Sequence, residues 1–184
     1  MKCINCSQGN LIPSFIDDAF RAHTCGSCGG NWILVEDFVS WKDRHPEHRF
    51  NPEVTCEDDA ADNRKALICP MSGQLMRKLR ISAQHAHRLD YSNSVGGIWL
   101  DKGEWELLKA EGLAGSLNAI VTQTWQNKIR QETALNNFVE IYESKFGKET
   151  YKKAKEIRQW LQSHPQKADL RAYLLAEDPY SAEK

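Results

Sequence analysis

Cys3-Ile4-Asn5-Cys6 and Cys25-Gly26-Ser27-Cys28-Gly29-Gly30 decide how this chain begins: two CxxC pairs with positions 7–24 between them. That spacing falls in the window read as a zinc site. Zinc wants four deprotonated soft ligands at tetrahedral corners, and the short gap within a CxxC pair lets both of its sulfurs face one ion. Cys3, Cys6, Cys25 and Cys28 are therefore the expected ligands of one structural zinc ion per chain. Gly29-Gly30 supplies the tight knuckle, because glycine accepts the positive-φ turn that swings backbone N–H groups toward sulfur. The competing reading is a pair of disulfides or free thiols. Disulfides need an oxidising compartment, and the expectation is a reduced one, with no hydrophobic signal segment read in Met1-Lys2-Cys3-Ile4.

Working outward, Leu11–Ile16 and Ala19–His23 read as two short strands around an Asp17-Asp18 turn, so each CxxC sits at one end of a hairpin. A unit this small has too little core to fold on burial alone, and metal binding would supply most of its folding energy. Positions 31–35 continue as a third strand, and 37–44 as a short helix with Phe38 and Trp41 one turn apart, stopped by His45-Pro46. Positions 46–66 read as a linker with an acidic run, Glu57-Asp58-Asp59, which a solvated surface accounts for.

The pattern then recurs. Cys28-Gly-Gly-Asn-Trp32 matches Val95-Gly-Gly-Ile-Trp99, and Cys3 matches Cys69 at nearly the same offset, an internal repeat. Ser72, Ser92 and Val95 stand where three cysteines would be, leaving Cys69 alone. Hydroxyl and isopropyl groups do not replace thiolates, so this second ribbon is expected to fold without metal on Leu67, Ile68, Val95, Ile98 and Trp99, packed pseudo-symmetrically against the first. Trp32 and Trp99 should point inward, Trp99 the more deeply. His85 and His87 read as two rings on one strand face in mid-hairpin, outside the ligand set, and His23 as a neighbour of the site. Asp101 and Glu104 resemble a capping box, with Asp101 accepting from helix N–H groups and Glu104 reaching back.

These residues resemble the bacterial transcription-factor-type (TFIIB-type) zinc-ribbon family, whose motif runs CPxCGG, a hairpin, then CxxCGGIWLDxGEL. The likeness covers about residues 2–44 and 67–112 and is most specific at Gly96-Gly97-Ile98-Trp99-Leu100-Asp101-Lys102-Gly103-Glu104. It implies ribbon folds and zinc on Cys3, Cys6, Cys25 and Cys28. In the second copy only Cys69 matches the motif's ligands.

From 116 to 184 the pattern is helical. Leu117, Ile120, Val121, Trp125 and Ile129 form one stripe, and Leu135, Phe138, Val139, Tyr142 and Phe146 a second. A further helix over 148–163 turns Tyr151, Ala154, Ile157, Trp160 and Leu161 inward, and a last one carries Leu170, Tyr173 and Leu174. The expected fold is α+β: a zinc ribbon at 1–45, a linker at 46–66, a metal-free ribbon at 67–115 and a helical region at 116–184.

Net charge is −1 and no apolar run approaches the roughly 18 residues of a membrane span, so a cytoplasmic chain with no membrane partner is expected. Walker, GxSxG and HExxH motifs are absent, and four cysteines leave no open metal position for catalysis. No catalytic residue and no small-molecule substrate is evident. The functional expectation is a non-enzymatic zinc-binding ribbon protein that contacts a protein partner. The alternative is nucleic-acid or transcription-associated binding by the segment 148–171, where seven basic side chains face three acidic ones. Cys56 and Cys69 read as lone thiols.

Overall fold

The structure, a computed structural model, describes residues 1–51 and 65–177. Most of the linker, with Cys56 and the acidic run, lies outside the described residues. Two compact units are present, Met1–Thr133 and Ala134–Lys184.

The first unit is built on one six-stranded antiparallel sheet in the order β1-β2-β3-β6-β5-β4. β1 (Leu11–Ile16) and β2 (Phe20–Cys25) form the first hairpin, and β3 (Asn31–Leu34) pairs with β2. β4 (Arg77–Arg80), β5 (Arg88–Ser92) and β6 (Gly97–Leu100) form the other half. Asp17 and Asp18 both take left-handed backbone (φ 49 and 53), and the Ala19 N–H closes the turn on Ile16 O at 2.8 Å. Aspartate is among the few non-glycine residues that tolerate this conformation. Val35 does not extend β3; it opens α1 (Val35–Arg44).

The halves meet at β3 and β6, with Trp32 opposite Trp99 and Ile33 opposite Ile98. Alternation along the strands sends the tryptophans to one face and the isoleucines to the other. On the isoleucine face lie α1 and α2 (Glu104–Ala110), which bury Phe38, Trp41, Trp105 and Leu108. Phe20 is wedged between Phe38 and Trp105, edge-on to both at centroid distances of 5.2 and 5.4 Å. Gly112, at φ 66, ends α2: its N–H reaches Lys109 O at 3.0 Å, and the Leu113 N–H reaches Leu108 O at 2.7 Å. The first hairpin is tied to this helix, since the Asp17 carboxylate accepts from Trp105 Nε1 (2.8 Å) and pairs with Lys109 (3.0 Å).

A short 3-10 turn (Ala114–Ser116), α3 (Leu117–Ile120) and the start of α4 (Gln123–Phe146) complete this core. Leu117 and Ile120 are fully buried and Ile129 nearly so, so the first apolar stripe belongs with the sheet. Trp125 Nε1 and Gln126 Nε2 cap two carbonyls at the end of β4 and just after it, Ile81 O (3.1 Å) and Arg80 O (2.9 Å).

The second unit departs from expectation. It holds the rest of α4, then α5 (Lys148–Ser163) and α6 (Lys167–Leu175). Neither α5 nor α6 buries a residue, and the second stripe is open: Leu135, Phe138, Tyr142 and Phe146 are exposed, as are Ile157, Trp160, Tyr173 and Leu174. Apolar periodicity reports which residues share a face, and says nothing about whether anything covers it. Ile68, expected in the core, is also half exposed, because only Leu67 of that pair turns inward.

The seam depends on two glycines. A Cβ on Gly30 would lie 2.2 Å from Trp99 Cζ2, and one on Gly97 would lie 2.1 Å from Trp32 Cζ2. Each tryptophan thus occupies the space that the other half leaves open by having glycine. Gly30→Ala and Gly97→Ala should each destabilise by about 1–3 kcal/mol through overpacking. Gly115→Ala, whose Cβ would meet nothing within 4 Å, should be neutral. Urea denaturation followed by circular dichroism checks both, and equal midpoints for all three variants would refute the interlock.

Candidate metal centre

Four thiols converge at the open end of the first hairpin. The loop before β1 carries Cys3 and Cys6, Cys25 ends β2, and Cys28 lies in the turn into β3. All four sulfurs lie within 4.8 Å of one another. Cys3 and Cys28 Sγ are 3.6 Å apart, and Cys6 and Cys25 Sγ 3.7 Å. Tetrahedral zinc with Zn–S of about 2.3 Å puts sulfurs about 3.8 Å apart, so these edges fit one ion. Disulfide sulfurs would sit at about 2.05 Å, and all four are free thiols. The cluster could therefore hold a metal ion, and every sequence-expected ligand is in it.

Backbone donors favour the thiolate form on part of the set. The N–H groups of Gly9 and Gln8 bring the Cys6 thiol down to about 6, the Gly9 contact measuring 3.4 Å. Burial works against the Cys25 thiolate, but the Cys28 and Ser27 N–H groups outweigh it and hold its pKa below normal. Burial pushes Cys28 up to about 12 and also raises Cys3. In the metal-free chain the site is thus a mixture of thiol and thiolate, and a cation must displace protons to bind.

Three supporting residues were not visible in the cysteine spacing. Gly9 approaches so closely that a Cβ there would lie 2.4 Å from Cys25 Sγ. Ser7 holds φ 56 just after Cys6, whereas Gly73 takes the corresponding bend after Ser72 at φ 69. Asn5, between Cys3 and Cys6, donates to Asp101 Oδ1 at 2.7 Å. The same oxygen accepts from Trp99 Nε1 at 2.8 Å. The Asp101 carboxylate therefore ties the knuckle to β6, and does not accept from α2 as the capping-box reading expected. Glu104 does reach back, taking the Asp101 N–H at 2.8 Å. Burial raises the pKa of both carboxyl groups.

The matching corner of the other half is built differently. Cys69 is buried, and the Ser72 N–H points to its Sγ at 3.4 Å. Ser94 Oγ donates to Ser72 Oγ at 2.8 Å and lies 3.1 Å from Ser92 Oγ. Burial opposes ionisation of Cys69, but hydrogen bonds from the Ser72 and Ser92 side chains leave its pKa lowered overall. Hydroxyls hydrogen-bonded to each other and to one sulfur occupy a corner that takes four cysteine side chains in the first half. The sequence shows the lost ligands, but not this linkage.

The histidines also move from their expected places. His85 and His87 lie in the loop between β4 and β5, not on a strand. His87 Nε2 meets Glu104 Oε1 at 2.6 Å, with side chains only 9% and 3% exposed, and His85 pairs with the more exposed Glu111 at 2.9 Å. His23 sits on β2 opposite Trp32 and is not among the converging ligands. Trp32 and Trp99 are both inside, at 1% and 0% exposure, so the expected difference in depth does not exist. They differ in partners: the Trp32 indole nitrogen has no hydrogen-bond partner among the described residues, while Trp99 has Asp101. Leu34 stands where an Asp101 equivalent would be.

No family model, curated protein or solved structure matches the chain. Among the described residues no helix is long and apolar enough to cross a membrane.

Cys28→Ser should lose the metal and the order of the N-terminal knuckle, while Cys69→Ser should keep the metal and cost about 1–2 kcal/mol as loss of a small buried group. Elemental analysis beside thermal melts checks this; equal losses in both variants would make Cys69 a ligand. Because Cys3 and Cys28 are held protonated above the ordinary thiol range, metal affinity should rise from pH 6 to pH 8 as each bound ion releases protons. Competition titrations with a chromophoric chelator read the slope, and a flat profile would contradict a thiolate centre.

Proposed function

We propose that the chain is a non-enzymatic protein-interaction module made of two TFIIB-type zinc ribbons. The first would carry one structural zinc ion on Cys3, Cys6, Cys25 and Cys28, and the second would be a degenerate copy without metal. The observation that carries this reading is the four-sulfur convergence, whose edges fit a tetrahedral ion and use all four of its positions with protein ligands. A zinc ion so enclosed supplies folding energy and has no position for substrate or water. The mirrored strand order and the Trp32–Trp99 pairing support the duplication.

An interaction role is favoured over catalysis by where the chain spends its apolar residues. The sheet unit buries a core and leaves Ile12, Phe15, Met71 and Leu75 exposed at its surface, whereas the helices after Thr133 bury no apolar side chain and leave large ones open to solvent. Open faces of this kind mark protein contacts. Basic side chains of α5, including Lys152 and Lys153, are also exposed, which supports phosphate contact as the second reading.

The test is affinity capture from the native host with the full chain as bait, alongside an electromobility assay at low and high salt. The expected result is a stoichiometric protein partner and no retarded nucleic acid. Salt-sensitive retardation of DNA or RNA without a protein partner would replace this reading with the nucleic-acid one.

A further inference from the structure

Residues 45–50 do not leave α1 but pack back against it. The His48 and Phe50 rings lie 4.8 and 5.5 Å from the Trp41 ring, centroid to centroid, and Phe50 is edge-on to Trp105 at 5.1 Å. Between this segment, the end of α1 and the turn after α2 lies a cleft of about 370 Å³, floored by Trp41, Pro46 and Phe50.

The charge of the cleft is one-sided. Lys42, Arg49 and Lys109 line it together with His45 and His48, and no carboxylate does among the described residues. Lys109 is matched by Asp17 at 3.0 Å. Lys42 and Arg49 are hydrogen-bonded only to carbonyl groups among the described residues. Lys42 Nζ donates to Gly115 O, and Arg49 Nη1 to Pro46 O (3.2 Å) and His48 O (3.1 Å). A carbonyl helps to hold such a group in place and cancels none of its charge. Each group also keeps N–H donors for a ligand. A second cleft that shares Trp41 lacks this bias, since Asp18 and Asp37 line it with Arg21 and Arg44.

We propose that the cleft floored by Phe50 binds a small phosphomonoester, with the phosphate on Lys42 and Arg49 and the organic part against the Trp41 and Phe50 rings. The proposal concerns a small ligand and does not rest on the protein-interaction reading above. A phosphomonoester carries close to two negative charges near neutral pH, which two cations with spare donors match. Small-ligand sites are concave, apolar over most of their lining, and orient the ligand through a few polar groups. A polyanion fits less well. Beyond the cleft, α1 adds Glu36, Asp37 and Asp43 against one further base, Arg44. No basic stripe therefore continues along α1, as a nucleic-acid backbone would require.

Isothermal calorimetry of the full chain with phenyl phosphate, and separately with inorganic phosphate, tests the proposal. Phenyl phosphate should bind at one saturable site, about tenfold more tightly than inorganic phosphate because only it reaches the rings. Its affinity should fall about tenfold or more in Lys42→Gln/Arg49→Gln. Glutamine at position 42 keeps a donor for Gly115 O, and circular dichroism verifies the fold. Arg49→Gln alone, at an exposed position, should weaken binding in the same direction should the double variant lose its fold. The control Lys152→Gln/Lys153→Gln, at exposed positions on α5, should bind as the wild type does. Equal weakening in that control would reduce the effect to general surface charge and overturn the proposal. Equal affinity for the two ligands, or no saturation below about 10 mM, would overturn it too. An oligonucleotide that binds more tightly than phenyl phosphate, and loses that binding in the double variant, would make this a nucleic-acid surface instead.

Discussion

Everything in the first unit depends on the two indoles that cross between the halves of the sheet. Trp32 and Trp99 face each other across β3 and β6, and each lies where the other half offers glycine instead of a side chain. A buried indole contributes more apolar area than any other side chain, so this pair supplies the centre of a core that neither hairpin could form alone. The isoleucines beside them fix the opposite face, on which α1, α2 and α3 lie. The result is one continuous sheet in place of two loosely joined ribbons.

That sheet has two corners of opposite chemistry. One gathers four sulfurs, some held as thiolates by backbone N–H groups and some held protonated by burial. Such a set is unstable as bare thiolates, because like charges at 3.6 and 3.7 Å repel, and a bound cation would resolve the conflict. The other corner meets the same geometric demand with serine hydroxyls, which bond to each other and need no ion. Asp101 joins the two halves electrostatically as well as sterically: one carboxylate oxygen serves Asn5 in the thiol knuckle and Trp99 in the seam.

Much of this was legible in the residues. The CxxC pairs, the Gly-Gly-x-Trp recurrence and the Phe38 and Trp105 helices are local signals, and local signals survive in a sequence. What escaped was tertiary. The crossing of Trp32 onto Gly97 depends on the pairing of β3 with β6, strands so far apart along the chain that no sequence window contains both. The Asp101 carboxylate reads as a helix cap until Asn5 and the Trp99 indole N–H are brought to it. His87 reads as a ring on a strand face in mid-hairpin until α2 sets Glu104 against it. In α5, spacing correctly placed Ile157 and Trp160 on one face, but no partner for that face is encoded in their spacing.

The central claim is that one closed, all-sulfur metal centre holds the N-terminal corner. X-ray absorption at the zinc edge of the purified chain tests it most directly. The account predicts a single shell of four sulfurs at about 2.3 Å. Nitrogen or oxygen in that shell, or fewer than four sulfurs, would contradict it.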